Sequence, residues 1–339
     1  MKISSFEIGK DRTFIVAEIG NNHGGDVETA KRMIEAAATC SVDAVKFQTF
    51  RTECLISMGA RTYDHAKGSH KSQFERFKSF EFSPGHWQEL ARTSEDQGLI
   101  FMTSVFDPES SDIMEPLVSA FKIASGDIDN VPLLRHVKGK NKPIIISTGC
   151  SNMKEIERTV MMLDPDNLAV LHCIATYPVE RAEDMNLRSI PFMRKALSIP
   201  VGYSDHTIGA VTCLGAVALG AAIIEKHFTL DKNISGGDHR LSADPDDMKE
   251  LVKGIRWLEA SVGKFEKQVA ECEANMKPVI RRGLYAARSL SAGESISEKD
   301  VIPLRPMEGV SVSETDTALG LKTKRDISKG EAIFLDDLE

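Results

Sequence analysis

The sequence predicts a (β/α)₈ barrel followed by a small, mostly β domain, on three observations. Between residue 14 and about residue 262, strand-like apolar runs alternate with helix-like segments, the mark of parallel strands joined by crossover helices. There are eight such runs, each with a helical stretch behind it, over the roughly 250 residues that such a barrel needs. Polar side chains gather at the C-terminal ends of most of the runs, where ligands bind in α/β folds. A doubly wound open sheet is the alternative. It usually has fewer strands, and no G-x-G-x-x-G turn follows the first run.

Residues 14–20 (FIVAEIG) form the first strand, and Asp26 opens a helix over 26–40. Residues 43–49 (DAVKFQT) form the second. A long connection, 50–82, comes next, rich in Arg, Lys, His and Ser. Loops of that length usually act as lids or are disordered, and a lid is expected here. Ser83-Pro84 sets a proline at the first position of a helix over 84–97. The third to sixth strands are 99–104 (LIFMTS), 119–124 (SAFKIA), 143–148 (PIIIST) and 168–174 (LAVLHCI), with a helix over 153–163 before the last. The seventh and eighth, 199–205 (IPVGYSD) and 222–228 (AIIEKHF), flank a helix over 209–219, and a final helix covers 245–262. The last two strands are dominated by β-branched residues, with polar ones only at their C-terminal ends, as strands buried on both faces should be.

The pattern changes after about residue 265. The barrel is expected over 1–265, a polar linker over 266–282 and a second domain over 283–339. Within it, Arg288-Ser-Leu-Ser-Ala-Gly-Glu-Ser-Ile-Ser-Glu-Lys-Asp300 is echoed by Arg325-Asp-Ile-Ser-Lys-Gly-Glu-Ala-Ile-Phe-Leu-Asp-Asp337. The repeat predicts two related halves around a core too small to be comfortable alone.

Composition excludes several classes. The 339 residues are 42% hydrophobic and 27% charged, as in an ordinary globular protein. No run approaches the roughly 20 apolar residues of a membrane span, and the N-terminus lacks a signal-peptide core. A formal charge of −8 argues against a nucleic-acid partner. The six cysteines are scattered without a C-x-x-C pair, which points to a reducing cytoplasm and no disulfide framework.

His206 and His227 end the seventh and eighth strands, which puts two imidazoles at neighbouring positions of one barrel mouth. They are either a metal or catalytic pair or two strand-end groups satisfied by backbone. Their 21-residue spacing specifies no metal by itself. With open positions for water and substrate oxygens, two imidazoles would suit Mn²⁺ or a similar divalent ion. Lys46 and Lys122, beside Ser104, Ser125, Ser147 and Ser204, form a candidate anion cradle. Glu18, Gln48, Asp127 and Tyr177 lie at other strand ends, and Asp238 lies in a Gly-Gly-Asp-His loop after the eighth.

These segments resemble a known family. Phe14-Ile-Val-Ala-Glu-Ile-Gly-Asn-Asn-His23, Ala44-Val-Lys-Phe-Gln-Thr49, Phe121-Lys-Ile-Ala-Ser-Gly-Asp127, Ile146-Ser-Thr-Gly149, Gly202-Tyr-Ser-Asp-His-Thr207 and Ile224-Glu-Lys-His-Phe-Thr-Leu-Asp-Lys232 are similar, in order, to the sialic acid (nonulosonate) synthases. The C-terminal repeat, with Leu304-Arg305-Pro306, is similar to that family's antifreeze-like SAF domain. The resemblance implies condensation of phosphoenolpyruvate with an open-chain N-acetylmannosamine-type sugar and release of phosphate. It implies His206 and His227 as ligands of a divalent metal, Mn²⁺ first, with Mg²⁺ or Co²⁺ as alternatives. Lys46, Lys122, Ser125, Ser147 and Ser204 would hold phosphoenolpyruvate and Gln48 and Tyr177 the sugar, with Ser104 as a further substrate-binding residue. Glu18, Asp127 and Asp238 are the implied catalytic residues, the two aspartates lying near the sugar. Arg305 would reach the partner's acyl-sugar site in a domain-swapped homodimer.

Two positions depart from the family pattern. Asp127 stands where some members have the longer Glu, and Ala175 stands where many have Asn or another polar residue. The alternative readings are a legionaminate- or pseudaminate-type synthase using a 2,4-diacetamido-trideoxyhexose, another phosphoenolpyruvate-condensing barrel that takes a sugar phosphate, and a non-catalytic carbohydrate-binding or antifreeze-like protein.

Overall fold

A computed structural model describes residues 1–10, 12–60 and 72–339. Residues 61–71, the middle of the expected lid, lie outside the described residues. On either side of them the connection carries two short helices, Thr52–Leu55 and Gln73–Lys78. The chain divides into two compact units, Met1–Gly263 and Lys264–Glu339.

The first unit is a closed barrel of eight parallel strands. They are Phe14–Gly20 (β1), Ala44–Thr49 (β2), Ile100–Val105 (β3), Phe121–Ile123 (β4), Ile144–Ser147 (β5), Leu168–Cys173 (β6), Val201–Asp205 (β7) and Ile223–His227 (β8). Each pairs with the next, and β8 returns to β1 with His227 opposite Glu18. The helices that follow them in turn are Val27–Ala38 (α1), Pro84–Asp96 (α2), Pro108–Met114 (α3), Val131–Lys138 (α4), Met153–Met162 (α5), Ser189–Leu197 (α6), Val211–Ala218 (α7) and Pro245–Val262 (α8).

Local chemistry sets the helix starts. The Asp26 carboxylate accepts from the Thr29 N–H at 2.8 Å, and Ser83 caps α2 ahead of Pro84. Asn152 and Glu155 close a capping box on α5.

Strand alternation then sorts the side chains. Outward residues such as Ile15, Ala17, Val45, Phe47, Val170 and Val201 pack with the helices in the main core. Inward residues form a smaller apolar layer low in the barrel: Phe14, Val16, Ala44, Met102, Ile145, Leu171 and Ile223. Ile3 and Ile8 join that layer from an N-terminal hairpin of Lys2–Ile3 and Phe6–Glu7. The barrel floor is therefore packed, and only the end beyond this layer is left for polar groups.

The second unit opens with a 3₁₀ turn, Glu271–Glu273, and a short helix, Met276–Ile280, inside the stretch read as a linker. Strands Gly283–Ala286 (β9) and Val301–Leu304 (β10) then pair antiparallel. The sequence repeat is a structural one. Arg288 pairs with Glu294 and Asp300, and Arg325 pairs with Glu331 and Asp337. Leu290 and Ile327, at equivalent repeat positions, exchange both backbone hydrogen bonds. The core consists of Leu284, Leu290, Ile296, Val310, Ile327, Ile333 and their neighbours. All six cysteines are free. Among the described residues no helix is long and apolar enough to cross a membrane.

Candidate active site

Above the apolar floor, every barrel strand turns one polar or thiol side chain inward. They are Glu18, Lys46, Ser104, Lys122, Ser147, Cys173, Ser204 and Glu225, all buried. Period-two alternation places them there: seven lie two residues beyond an apolar floor residue (Val16, Ala44, Met102, Ala120, Ile145, Leu171 or Ile223), and Ser204 lies two beyond Gly202.

This layer is a connected network. The Lys46 ammonium donates to Ser104 Oγ at 2.8 Å, lies 2.7 Å from Glu18 Oε2 and stands 3.8 Å from Glu225. Lys122 donates to Ser147 Oγ at 2.6 Å and faces the other oxygen of Glu225 at 3.9 Å. Ser204 donates to Glu225 Oε1 at 2.9 Å. Gln48 Nε2 donates to Glu18 Oε1 at 3.3 Å, and Gln48 Oε1 accepts from Asn21 at 2.8 Å. Ser125 Oγ accepts the Gly149 N–H at 3.0 Å. A Cβ on Gly149 would come within 2.8 Å of that hydroxyl and 3.1 Å of the Ala175 methyl, so the backbone approach needs glycine.

Burial divides the two carboxylates. It pushes Glu18 up to about 7, outweighing the Lys46 ammonium, and the Glu225 charge adds to the rise. Burial also opposes ionisation of Glu225. There Lys122 and Lys46, with the Ser204 hydroxyl, hold its pKa below the usual glutamate range. Burial pulls Lys122 down and raises the Cys173 thiol to about 11, so that sulfur is not a thiolate at neutral pH.

The two histidines stand at the rim of this layer, with ring centroids 5.4 Å apart. His206 Nδ1 is 2.7 Å from the Ile174 carbonyl. That bond puts the proton on Nδ1 and leaves Nε2 as a lone pair. Burial lowers His206 to about 4 and His227 well below its ordinary value, with the His206 charge adding to the fall. Both rings are therefore neutral near pH 7. His227 Nδ1 is buried without a hydrogen-bond partner, and the Asp238 carboxylate is 3.8 Å away. The Tyr177 ring lies over His206 at 4.0 Å between centroids. Beside Tyr177, a cavity of about 500 Å³ is lined by Pro178, Glu180, Arg181, Gly237 and Arg240 among others.

Glu18, Lys46, Gln48, Ser104, Lys122, Ser125, Ser147, Tyr177, Ser204, His206, His227 and Asp238 thus share one barrel end. Asp127 is half-buried in a 3₁₀ turn after β4, and its carboxylate accepts from Asn130 at 2.9 Å rather than from any of these groups. Arg305 belongs to the second unit and is exposed there. Glu225 is a member of the network that sequence reasoning left as one polar strand-end residue. Its even spacing from His227 was the available signal, since both must face the same side of β8.

Residues 33–267 match the NeuB family. The chain belongs to that family. Residues 281–339 match the SAF domain. An N,N'-diacetyllegionaminic acid synthase from Legionella pneumophila is 37% identical, over 96% of this chain and 94% of its own length. An uncharacterized protein from Methanocaldococcus jannaschii is 40% identical over 100% of this chain and 98% of its own. The solved N-acetylneuraminic acid synthetase from Leptospira borgpetersenii superposes with a TM-score of 0.73 at 31% identity, covering 81% of this chain and 94% of that one. This NeuB-family chain therefore has sialic and legionaminic acid synthases as relatives, and it shares their barrel.

Proposed function

We propose that the chain condenses phosphoenolpyruvate with the open-chain form of an N-acylated amino sugar and releases inorganic phosphate. The observation that carries this reading is the buried pair of ammonium groups, Lys46 and Lys122, below two neutral imidazoles. With Glu18 raised to about 7, the layer has a positive excess below that pH and favours an anion. Lys46 and Ser104 on one side, and Lys122 with Ser147 on the other, would hold the phosphate and carboxylate of phosphoenolpyruvate. Ser125 and Ser204 add hydroxyls at the same layer. Fixing those groups points C3 of the enol at the sugar aldehyde, which converts a bimolecular encounter into a positioned one.

The donor set at His206 and His227 fits a divalent ion: two neutral rings, one with its tautomer fixed to expose Nε2, the other with an orphaned buried Nδ1. Among the described residues no third His, Cys, Asp or Glu completes a cluster, so water and substrate oxygens would fill the remaining positions, as Mn²⁺ tolerates. Such an ion supplies Lewis acidity toward the aldehyde oxygen.

The C3–C1 bond forms as the enol π pair moves, leaving cationic character at C2. Glu18 is positioned to stabilise that charge as a carboxylate or to take a proton from the water that adds to C2. Collapse then breaks the C2–O bond to phosphate. Gln48, Tyr177 and Asp238 face the sugar side, and the cavity beside Tyr177 has room for its N-acyl substituents. Homodimerisation and a role for Arg305 at the acyl group enter the proposal from the family resemblance alone. Sedimentation, and the sugar KM of Arg305→Ala, test them.

The deciding experiment is phosphate release from phosphoenolpyruvate with Mn²⁺ across a panel of 2-acetamido and 2,4-diacetamido hexoses, with and without a sugar phosphate group. Turnover with an unphosphorylated amino sugar is expected. Sugar binding without phosphate release would favour a non-catalytic carbohydrate-binding protein instead.

A further inference from the structure

Asp205 and Lys226 form an ion pair on the wrong side of the sheet for chemistry. Strand alternation turns Ser204, Glu225 and the two histidines toward the barrel end, so the intervening Asp205 and Lys226 point outward, into the layer between sheet and helices. That layer is otherwise the main apolar core, with Tyr203, Cys213, Ala216 and Val217 close by in the chain. Lys226 is nevertheless one of the largest fully buried side chains in the molecule, and Asp205 is fully buried.

The pair is held by a dense set of hydrogen bonds. Lys226 Nζ donates to Asp205 Oδ2 at 2.7 Å and also to the Thr207 carbonyl. Asp205 Oδ1 accepts from the Tyr203 hydroxyl at 2.9 Å, from Thr207 N–H at 3.0 Å and Thr207 Oγ1 at 2.9 Å, and from Thr212 Oγ1 at 3.1 Å. Asp205 and Lys226 are direct cross-strand partners in the β7–β8 register. One ammonium group, on the residue before His227, therefore grips the residues immediately before and after His206.

An apolar pair of equal volume would fill this space with less desolvation cost, so stability alone does not explain two buried charges. What apolar side chains lack is direction. They tolerate small slides between strands, whereas an ammonium gripping a carboxylate and a carbonyl at hydrogen-bond distance does not. We propose that the Asp205–Lys226 pair is a positioning device that fixes the separation and orientation of His206 and His227. The inference rests on the reading of those two histidines as metal ligands.

The test measures Mn²⁺ affinity by calorimetry and thermal unfolding in parallel, on full-length metal-free protein. The variants are Lys226→Met, Asp205→Asn, the double Asp205→Asn/Lys226→Met, and His206→Ala. Each single variant is expected to lose about tenfold or more in Mn²⁺ affinity, the low end of what supporting residues around a metal contribute. The double variant, neutral and similar in volume, is expected to regain much of the melting temperature without regaining Mn²⁺ affinity. It also carries the test should a single variant fail to fold. Wild-type Mn²⁺ affinity in the double variant would overturn the inference and leave the pair purely structural. Mn²⁺ binding that is absent in the wild type, or unchanged in His206→Ala, would instead sink the metal reading, and the inference with it.

Discussion

Glu18 Oε2 lies 2.7 Å from the Lys46 ammonium, yet burial raises the Glu18 pKa to about 7 rather than lowering it. Desolvation wins because both side chains are buried in a layer that already holds a second carboxylate, Glu225. The network is thus poised to shed a negative charge near neutral pH, which suits a site that takes up an anion.

Glu18→Gln is expected to lower kcat by about 10² to 10⁴, the range for a positioned acid–base group. Phosphoenolpyruvate should bind the variant as well as the wild type, or more tightly, because a nearby negative charge has been removed. Kinetics of phosphate release together with equilibrium binding of phosphoenolpyruvate check this. A variant that weakened binding and kept its turnover would mark Glu18 as a structural partner of Lys46.

Lys46→Ala and Lys122→Ala should behave in the opposite way. Each removes a charge-assisted contact to the anion worth about 1.5–3 kcal/mol, so the KM for phosphoenolpyruvate should rise about ten- to a hundred-fold. The sugar KM should move much less. Lys122→Ala also leaves Glu225 with one ammonium neighbour, Lys46, in place of two, so some loss of thermal stability is expected there. Unchanged phosphoenolpyruvate kinetics in both variants would remove the anion cradle.

The barrel was legible because its strands are runs of buried apolar residues, most with a polar group at or near the C-terminal end, and all eight observed strands keep to those runs within two residues at either end. The N-terminal hairpin was not. With two residues per strand it has no period to read, and it depends on Ile3 and Ile8 packing under the barrel floor. The placement of the candidate site residues at strand ends was legible for the same reason as the strands. Alternation alone also marks Asp205 and Lys226 as outward and Glu225 as inward, but it cannot say that outward charges pair across a register. His23 closes the first family-like motif, just past the end of the first strand. The structure turns it into an aromatic pocket, stacked on Phe82 at 4.4 Å, a contact between segments far apart in sequence.

His206→Ala and His227→Ala should each reduce turnover by about a hundredfold or more, as expected when a Lewis acid contributing several kcal/mol is lost. Exhaustive chelation of the wild type should do the same, with activity returning on addition of Mn²⁺. Far-UV circular dichroism of both variants should stay at the wild-type level, because the floor of the barrel and the helical layer are untouched. Full turnover after metal removal would sink this prediction.

His23 gives the fold an acid limit. Its ring is buried between Phe82 and Phe47, and Nδ1 accepts the Gly25 N–H at 3.0 Å, which requires the neutral ring. Burial pushes its pKa down to about 4, with Asp26 opposing weakly. In the unfolded chain the same ring titrates near 6.5. Between those two values the unfolded state binds more protons than the folded state, so stability rises with pH across the window and is lost on acidification from about 6.5 toward 4. Above about pH 7 the ring is neutral in both states and contributes no slope. The loss from this one group is on the order of 3 kcal/mol. His206 and His227 shift in the same direction, so the contribution of His23 must be read as a difference. Urea unfolding of wild type and His23→Phe at pH 5 and pH 7.5 makes that comparison. The stability change between the two pH values should be smaller in the variant, even if its stability at pH 7.5 is lower. An equal change in both proteins would mean that His23 is protonated in the fold without cost, and that its aromatic pocket admits the charge.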